Sequence, residues 1–155
     1  KSIHLFMKIN YSKILKRNMI NVLKDVLINI KKNGLQEGHH LYITFKTNDK
    51  KVIIPQWLLD EFPSEMTIVI QHEYWNYDIA NDHFTITLSF NDIKADLIVP
   101  FSSVISFADP YANFGLKLIQ DKVLDNKNNN KTKQKLKTKG YTKKDNIIEL
   151  NKFRN

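Results

Sequence analysis

The chain of 155 residues contains no cysteine, only four glycines and only four prolines. Without cysteine it forms no disulfide and offers no thiolate to a metal or a covalent reaction, which suits a reducing compartment. The most apolar stretch, 14–30, is interrupted by four charged residues and is too polar to cross a membrane. We therefore expect a cytoplasmic protein with no membrane association.

Motifs that accompany common catalytic and nucleotide-binding sites are also missing. The sequence has no GxGxxG, no GxxxxGK[ST] and no GxSxG. The histidines form no HxxxH pair, and the adjacent His39 and His40 would point to opposite faces of a strand. Glu73, Asp78 and Asp82 have the spacing of ordinary strand-end and turn carboxylates. We expect no catalytic residue, no metal and no cofactor.

The net charge of +8 is unevenly distributed along the chain. Residues 1–118 contain 13 Lys and Arg against 12 Asp and Glu, whereas residues 119–155 contain 11 against 4. A folded part with a net charge of +1 has little bulk attraction for phosphate. We expect no nucleic-acid partner for it, and an RNA-binding protein with a basic tail is the alternative function.

Apolar residues at steps of three and four predict an amphipathic helix from Tyr11 to Lys32. Ser12 is the predicted N-cap, and Asn33-Gly34 the predicted stop. Further apolar residues widen the stripe beyond one face, so the helix needs a second partner besides its own sheet. We expect a homodimer, with one large monomeric core as the alternative. The predicted dimer interface consists of Leu15, Met19, Leu23, Val26 and Ile30.

After the helix, the apolar period changes to two, which predicts short strands. The candidates are His40–Thr47, Met66–His72 with a possible extension to Tyr77, His83–Phe90, Asp96–Pro100 and Val104–Phe107. The segment Ile54–Glu65, with Pro55 and Pro63 near its ends, predicts a helical turn or packed loop. The fold class is α+β and mostly β, with an N-terminal helix before a small bent antiparallel barrel.

Composition divides the chain into four segments. Residues 1–10 form an N-terminal extension, in which Met7 is a plausible native start, and residues 11–118 form the folded domain. Residues 119–145 are dominated by Lys, Asn and Thr and predict a disordered, basic linker. Apolar residues return at 146–155, which predicts a docking peptide at the end of that linker.

The segment from Gln71 to Trp75 combines polar groups with large aromatics at the end of a strand. Such a mixture suits the gripping of an extended peptide, with hydrogen bonds from Gln71 and apolar cover from an aromatic ring. A strand end that covers its own core is the alternative interpretation.

Several ordered motifs resemble the alphaproteobacterial branch of the SspB family. They are His39–Phe45, Phe62–Trp75, Leu88–Phe90, Ile98–Val104 and Asp109–Leu116. The resemblance runs from about Tyr11 to Leu118 and returns at the C-terminus. It implies an Sm-like, SH3-like barrel, a dimerising helix, and an adaptor that binds ssrA-tagged polypeptides and delivers them to the ClpXP protease.

Carried over by position, the resemblance implies two binding segments. The peptide groove would consist of Gln71, His72, Tyr74, Trp75, Leu88, Ser89, Phe90, Phe101, Ser102, Ser103 and Val104. The peptide that docks on the N-terminal domain of ClpX would consist of Ile147, Ile148, Glu149, Leu150, Phe153 and Arg154. The linker departs from many relatives because it is short and basic instead of long and acidic.

Overall fold

The computed structural model of the chain describes residues 8–118. Its elements are α1 (Tyr11–Asn33), β1 (Leu41–Lys46), α2 (Gln56–Glu61), β2 (Glu65–Ile70), β3 (Trp75–Ile79), β4 (His83–Phe90), β5 (Ile93–Pro100), a single 3₁₀ turn (Phe101–Ser103), β6 (Val104–Asp109) and β7 (Phe114–Lys117). The predicted linker, the ClpX-docking peptide and most of the N-terminal extension lie outside the described residues.

Local capping sets the limits of α1. The side chain of Asn10 accepts a hydrogen bond from the backbone N–H of Lys13 at 2.9 Å, so Asn10 is the N-cap and the prediction of Ser12 was wrong. At the other end Gly34 has φ 73° and donates its N–H to the carbonyl of Ile30 at 2.8 Å. The predicted stop at Asn33-Gly34 is therefore confirmed, because glycine adopts positive φ without steric cost.

The strands form two antiparallel sheets, in the orders β2-β1-β6-β7 and β3-β4-β5. A two-residue turn at Asn91 and Asp92, both with positive φ, joins β4 to β5, and this geometry matches the twist of the paired strands. The isolated bridge between Ile53 and Ile98 covers part of the outer edge of β5. The predicted α+β, mostly β class, with the helix first, is confirmed.

The helix α1 packs against the sheets through its buried side chains, which are Met19, Leu23, Leu27 and Ile30. Two polar contacts join it to β3. The hydroxyl of Tyr77 donates to the carbonyl of Leu27 at 2.7 Å, and Lys31 pairs with Asp78. Burial raises the pKa of Tyr77, and the hydrogen bond from Lys31 lowers the pKa of the Asp78 carboxyl.

The predicted strands differ from the observed ones mainly after Ile70. There the chain turns, and Trp75 opens a separate strand, β3, so the possible extension to Tyr77 was wrong. The strand β7 was not predicted. The helical turn expected within Ile54–Glu65 is confirmed as α2.

The predicted dimer stripe divides into two groups in the structure. Met19, Leu23 and Ile30 are 5%, 0% and 5% exposed, because they fill the chain's own core. They are not accessible to a second copy while α1 stays packed on the sheets. Leu15 remains 41% exposed, and Val26 is half-buried. Within residues 8–118, no helix is both long enough and apolar enough to span a bilayer.

Candidate functional site

Within residues 8–118, the strand β2 lies at the edge of its sheet and pairs with β1 alone. Just before it, the N–H of Thr47 donates to the carbonyl of Ser64 at 2.9 Å. In an antiparallel pair the hydrogen-bonded residues alternate, so the same pattern directs the backbone groups of Met66, Ile68 and Ile70 toward β1. The N–H and C=O groups of Thr67 and Val69 therefore point to the free edge.

The strand β4 provides a second free edge. It pairs with β5 along its whole length, from His83 to Phe90, but its partner β3 begins only opposite Thr87. The N–H of Phe101 donates to the carbonyl of Asp82 at 2.9 Å, which sets the alternation of the β4–β5 pair. By this alternation the backbone groups of Ser89 point away from β5, to the side where β3 has not yet begun.

A cavity of about 550 Å³ lies between these two edges. Its lining combines polar and apolar groups: Thr67, Val69, Gln71, His72, Glu73, Leu88, Ser89 and Phe90. The side chains on the rim are exposed, whereas Leu88 is 4% exposed and lies at the bottom. An open cleft with backbone donors and acceptors on both walls and an apolar base suits an extended peptide.

One aromatic ring outside the cavity packs on a residue that lines it. Trp57, from α2, lies against Phe90 with ring centroids 6.3 Å apart and an interplanar angle of 76°, and 37% of Trp57 is exposed. The ammonium of Lys94 lies 3.9 Å from the centroid of the Trp75 ring, and neither residue lines the cavity. Phe90, backed by Trp57, can therefore cover an apolar side chain of a bound peptide.

The structure brings together part of the predicted groove. Gln71, His72, Leu88, Ser89 and Phe90 line the cavity. Tyr74 and Trp75 follow directly but do not line it, and Tyr74 packs on Tyr77 with centroids 5.4 Å apart.

The segment from Phe101 to Val104 lies elsewhere. It follows β5 at the far end of the β4–β5 hairpin, where the ring of Phe101 packs on Phe84 at 5.8 Å. Phe101, Ser103 and Val104 are at most 2% exposed. Only Ser102 is exposed, and none of the four lines the cavity, so we leave this segment out of the groove.

Four residues in or beside the site were absent from the predicted set: Thr67, Val69, Glu73 and Trp57. Thr67 and Val69 alternate with buried residues in β2, and that outward alternation was visible in the sequence. Trp57 is far from the groove in sequence, and only the position of α2 brings it close to Phe90.

The SspB family model, described as stringent starvation protein B, matches residues 13–150. The chain belongs to the SspB family. No curated protein matches it. Membership in the SspB family indicates, in general terms, the role of an adaptor for the ClpXP protease.

The two free edges predict a pattern of amide hydrogen exchange in the unliganded protein. The amides of Thr67, Val69 and Ser89 should exchange faster than those of Ile68 and Leu88, because the former have no strand partner for their N–H groups within residues 8–118. NMR exchange measured residue by residue tests this expectation. Equal protection along β2 and at the end of β4 would contradict the assigned geometry.

Proposed function

We propose that this SspB family member binds ssrA-tagged polypeptides as an added strand in the cavity between β2 and β4 and delivers them to ClpXP. The observation that carries the proposal is the pair of free strand edges at the cavity. The backbone groups of Thr67 and Val69 form one edge, and those of Ser89 form the other. Recognition through backbone groups gives affinity, and pockets for alternate side chains give specificity.

The expected affinity for the tag is moderate. Each backbone hydrogen bond contributes about 1 kcal/mol net, because the peptide gives up hydrogen bonds to water. Apolar contact with Phe90 and Leu88 adds to this, and both strand edges are already ordered before binding, which keeps the entropy cost low. A moderate affinity would retain a tag without preventing its release to an unfolding enzyme.

Delivery would use the C-terminal part of the chain, which lies outside the described residues. The docking peptide consists of Ile147, Ile148, Glu149, Leu150, Phe153 and Arg154. A random linker of about 27 residues has a root-mean-square length of about 29 Å. Tethering at that reach gives effective concentrations on the order of mM. The family match and the apolar composition of 146–155 support this step.

We also propose a homodimer in the cytoplasm, formed through the exposed side of α1. Leu15 and Val22 are 41% and 42% exposed and lie seven residues apart on one side of the helix, next to half-buried Val26. A second copy would cover these apolar side chains. Two tails per dimer would then act together on one protease.

Replacing Ser89 with proline should weaken tag binding, because proline removes the N–H directed into the cavity. The expected loss is about 1 kcal/mol, or about fivefold in Kd, measured by the fluorescence anisotropy of a labelled ssrA-type peptide. The matched control is Lys94→Pro. Lys94 is the register partner of Ser89 on β5, and its N–H points to the opposite edge. Equal effects of the two substitutions would contradict strand addition.

Deleting residues 147–155 should abolish ClpX-dependent degradation of a tagged substrate and leave tag affinity unchanged, because the groove and the docking peptide are separate segments. The degradation rate and the peptide anisotropy are measured on the same protein preparation. Tag binding lost together with delivery would refute the division into two parts.

Replacing Val22 with glutamate should shift the protein from dimer to monomer in sedimentation equilibrium, because two charges would be buried at the interface. Ile28→Glu is the matched control. Ile28 is 51% exposed and lies about 120° farther around α1. A dimer that withstands Val22→Glu, or is equally weakened by Ile28→Glu, would place the interface elsewhere.

A further inference from the structure

The first half of α1 and the residues before it carry an unbalanced positive charge. Between residues 8 and 24 there are five cationic side chains and no Asp or Glu. They line a shallow groove of about 730 Å³, together with Ile9, Ile14 and Ile20. The net charge of +1 for residues 1–118 does not reveal this cluster of cations, because every acidic residue of the domain lies after residue 24.

Three of these cations form a row along the helix. Lys13, Arg17 and Lys24 follow one another at intervals of four and seven residues, which places them on one side of α1 over about 16 Å. Lys8 extends the row beyond the helix start. We call Lys8, Lys13, Arg17 and Lys24 the basic stripe.

The basic stripe is not neutralised by the domain. Lys31 of α1 pairs with Asp78, and no described carboxylate lies within 4 Å of the four stripe cations. The ammonium of Lys24 lies 5.1 Å from the centroid of the Phe101 ring. Unpaired cations in a row favour a partner that carries regularly spaced negative charge.

The surroundings of the stripe distinguish between classes of polyanion. The backbone of a helix is hydrogen-bonded internally, so α1 has no edge that could hold an acidic peptide as a strand. A membrane-surface helix would insert its apolar face into lipid, but Met19, Leu23, Leu27 and Ile30 are buried in the core. The groove therefore offers a ligand a row of cations beside the exposed apolar side chains of Ile9 and Ile14.

We propose that the basic stripe binds the phosphate backbone of single-stranded nucleic acid without reading its sequence. This activity goes beyond the proposed adaptor function and does not depend on it. The ammonium of Lys24 lies over the ring of Phe101, and the N–H of Phe101 donates to the carbonyl of Asp82, just before β4. Asp82 and Ser89 are seven residues apart, or about 23 Å in an extended strand. The stripe and the peptide cavity are therefore separate sites, and one chain could hold both ligands.

The test uses the full chain and a fluorescent 20-nucleotide single-stranded RNA, with DNA of the same sequence in parallel. Each phosphate contact contributes about −0.7 to the slope of log K against log salt concentration. The triple variant Lys13→Gln, Arg17→Gln and Lys24→Gln should therefore bind more weakly, with a slope shallower by about 2. Equal effects on RNA and DNA would support a site for the phosphate backbone.

The matched control is Lys46→Gln, Lys50→Gln and Lys117→Gln, which removes the same charge from exposed positions outside the stripe. It should change the slope much less. Equal changes in both triple variants would overturn the proposal and assign binding to net charge or to the basic tail. No binding of either nucleic acid at 50 mM salt, or a stripe-dependent loss confined to anionic vesicles or a poly-glutamate peptide, would overturn it too. The ssrA peptide anisotropy of each variant tests the adaptor function independently.

Discussion

The site depends on one constraint, which is that backbone N–H and C=O groups of a strand must find partners. In β4 one edge is satisfied throughout by β5, but the other is covered by β3 only as far as Thr87. In β2 one edge is satisfied by β1, and no strand of the described part of the chain lies beside the other. The two incomplete edges lie on either side of one cavity, so an added strand would satisfy both at once.

The turn between β2 and β3 keeps this gap open. The chain leaves β2 at Ile70 and rejoins a sheet at Trp75, where Asn76 has φ 47° and the register with β4 shifts before Asp78. The side chain of Asn76 donates to the hydroxyl of Thr87 at 3.1 Å and so fixes β3 against β4 at this irregularity. Exposed strand edges favour unwanted pairing between proteins. The polar rim of Gln71, Glu73 and Ser89 makes this edge less attractive to other apolar strands.

The spacing of apolar residues in the sequence predicts where helices and strands lie. Alternating and three-to-four spacings located α1 and most strands, and the local mixture at Gln71 and His72 marked one wall of the cavity. Periodicity does not show which edge of a strand stays free, so the segment from Phe101 to Val104 was grouped with a groove from which the hairpin separates it. Resemblance by position has the same weakness, because it follows order along the chain and not distance in space.

The helix shows a second limit of prediction from the sequence. Its apolar residues surround most of its circumference, so no pattern could distinguish Leu23, which is 0% exposed, from Val22, which is 42% exposed. The sheets make that choice by packing on one side. The summed charge of the domain has a related limit, since a sum near zero says nothing about how charges are arranged on the folded surface.

The proposed function separates three tasks along one chain. In this proposal the cavity would bind through strand edges, the exposed side of α1 would meet a second copy, and the C-terminal residues would serve as a tether. A tether increases the local concentration of cargo without tightening the grip on it. Because each strand-edge hydrogen bond contributes only about 1 kcal/mol, pulling a bound tag would break these bonds one after another at little cost. A cavity that bound its ligand much more tightly would hinder the transfer that an adaptor has to complete.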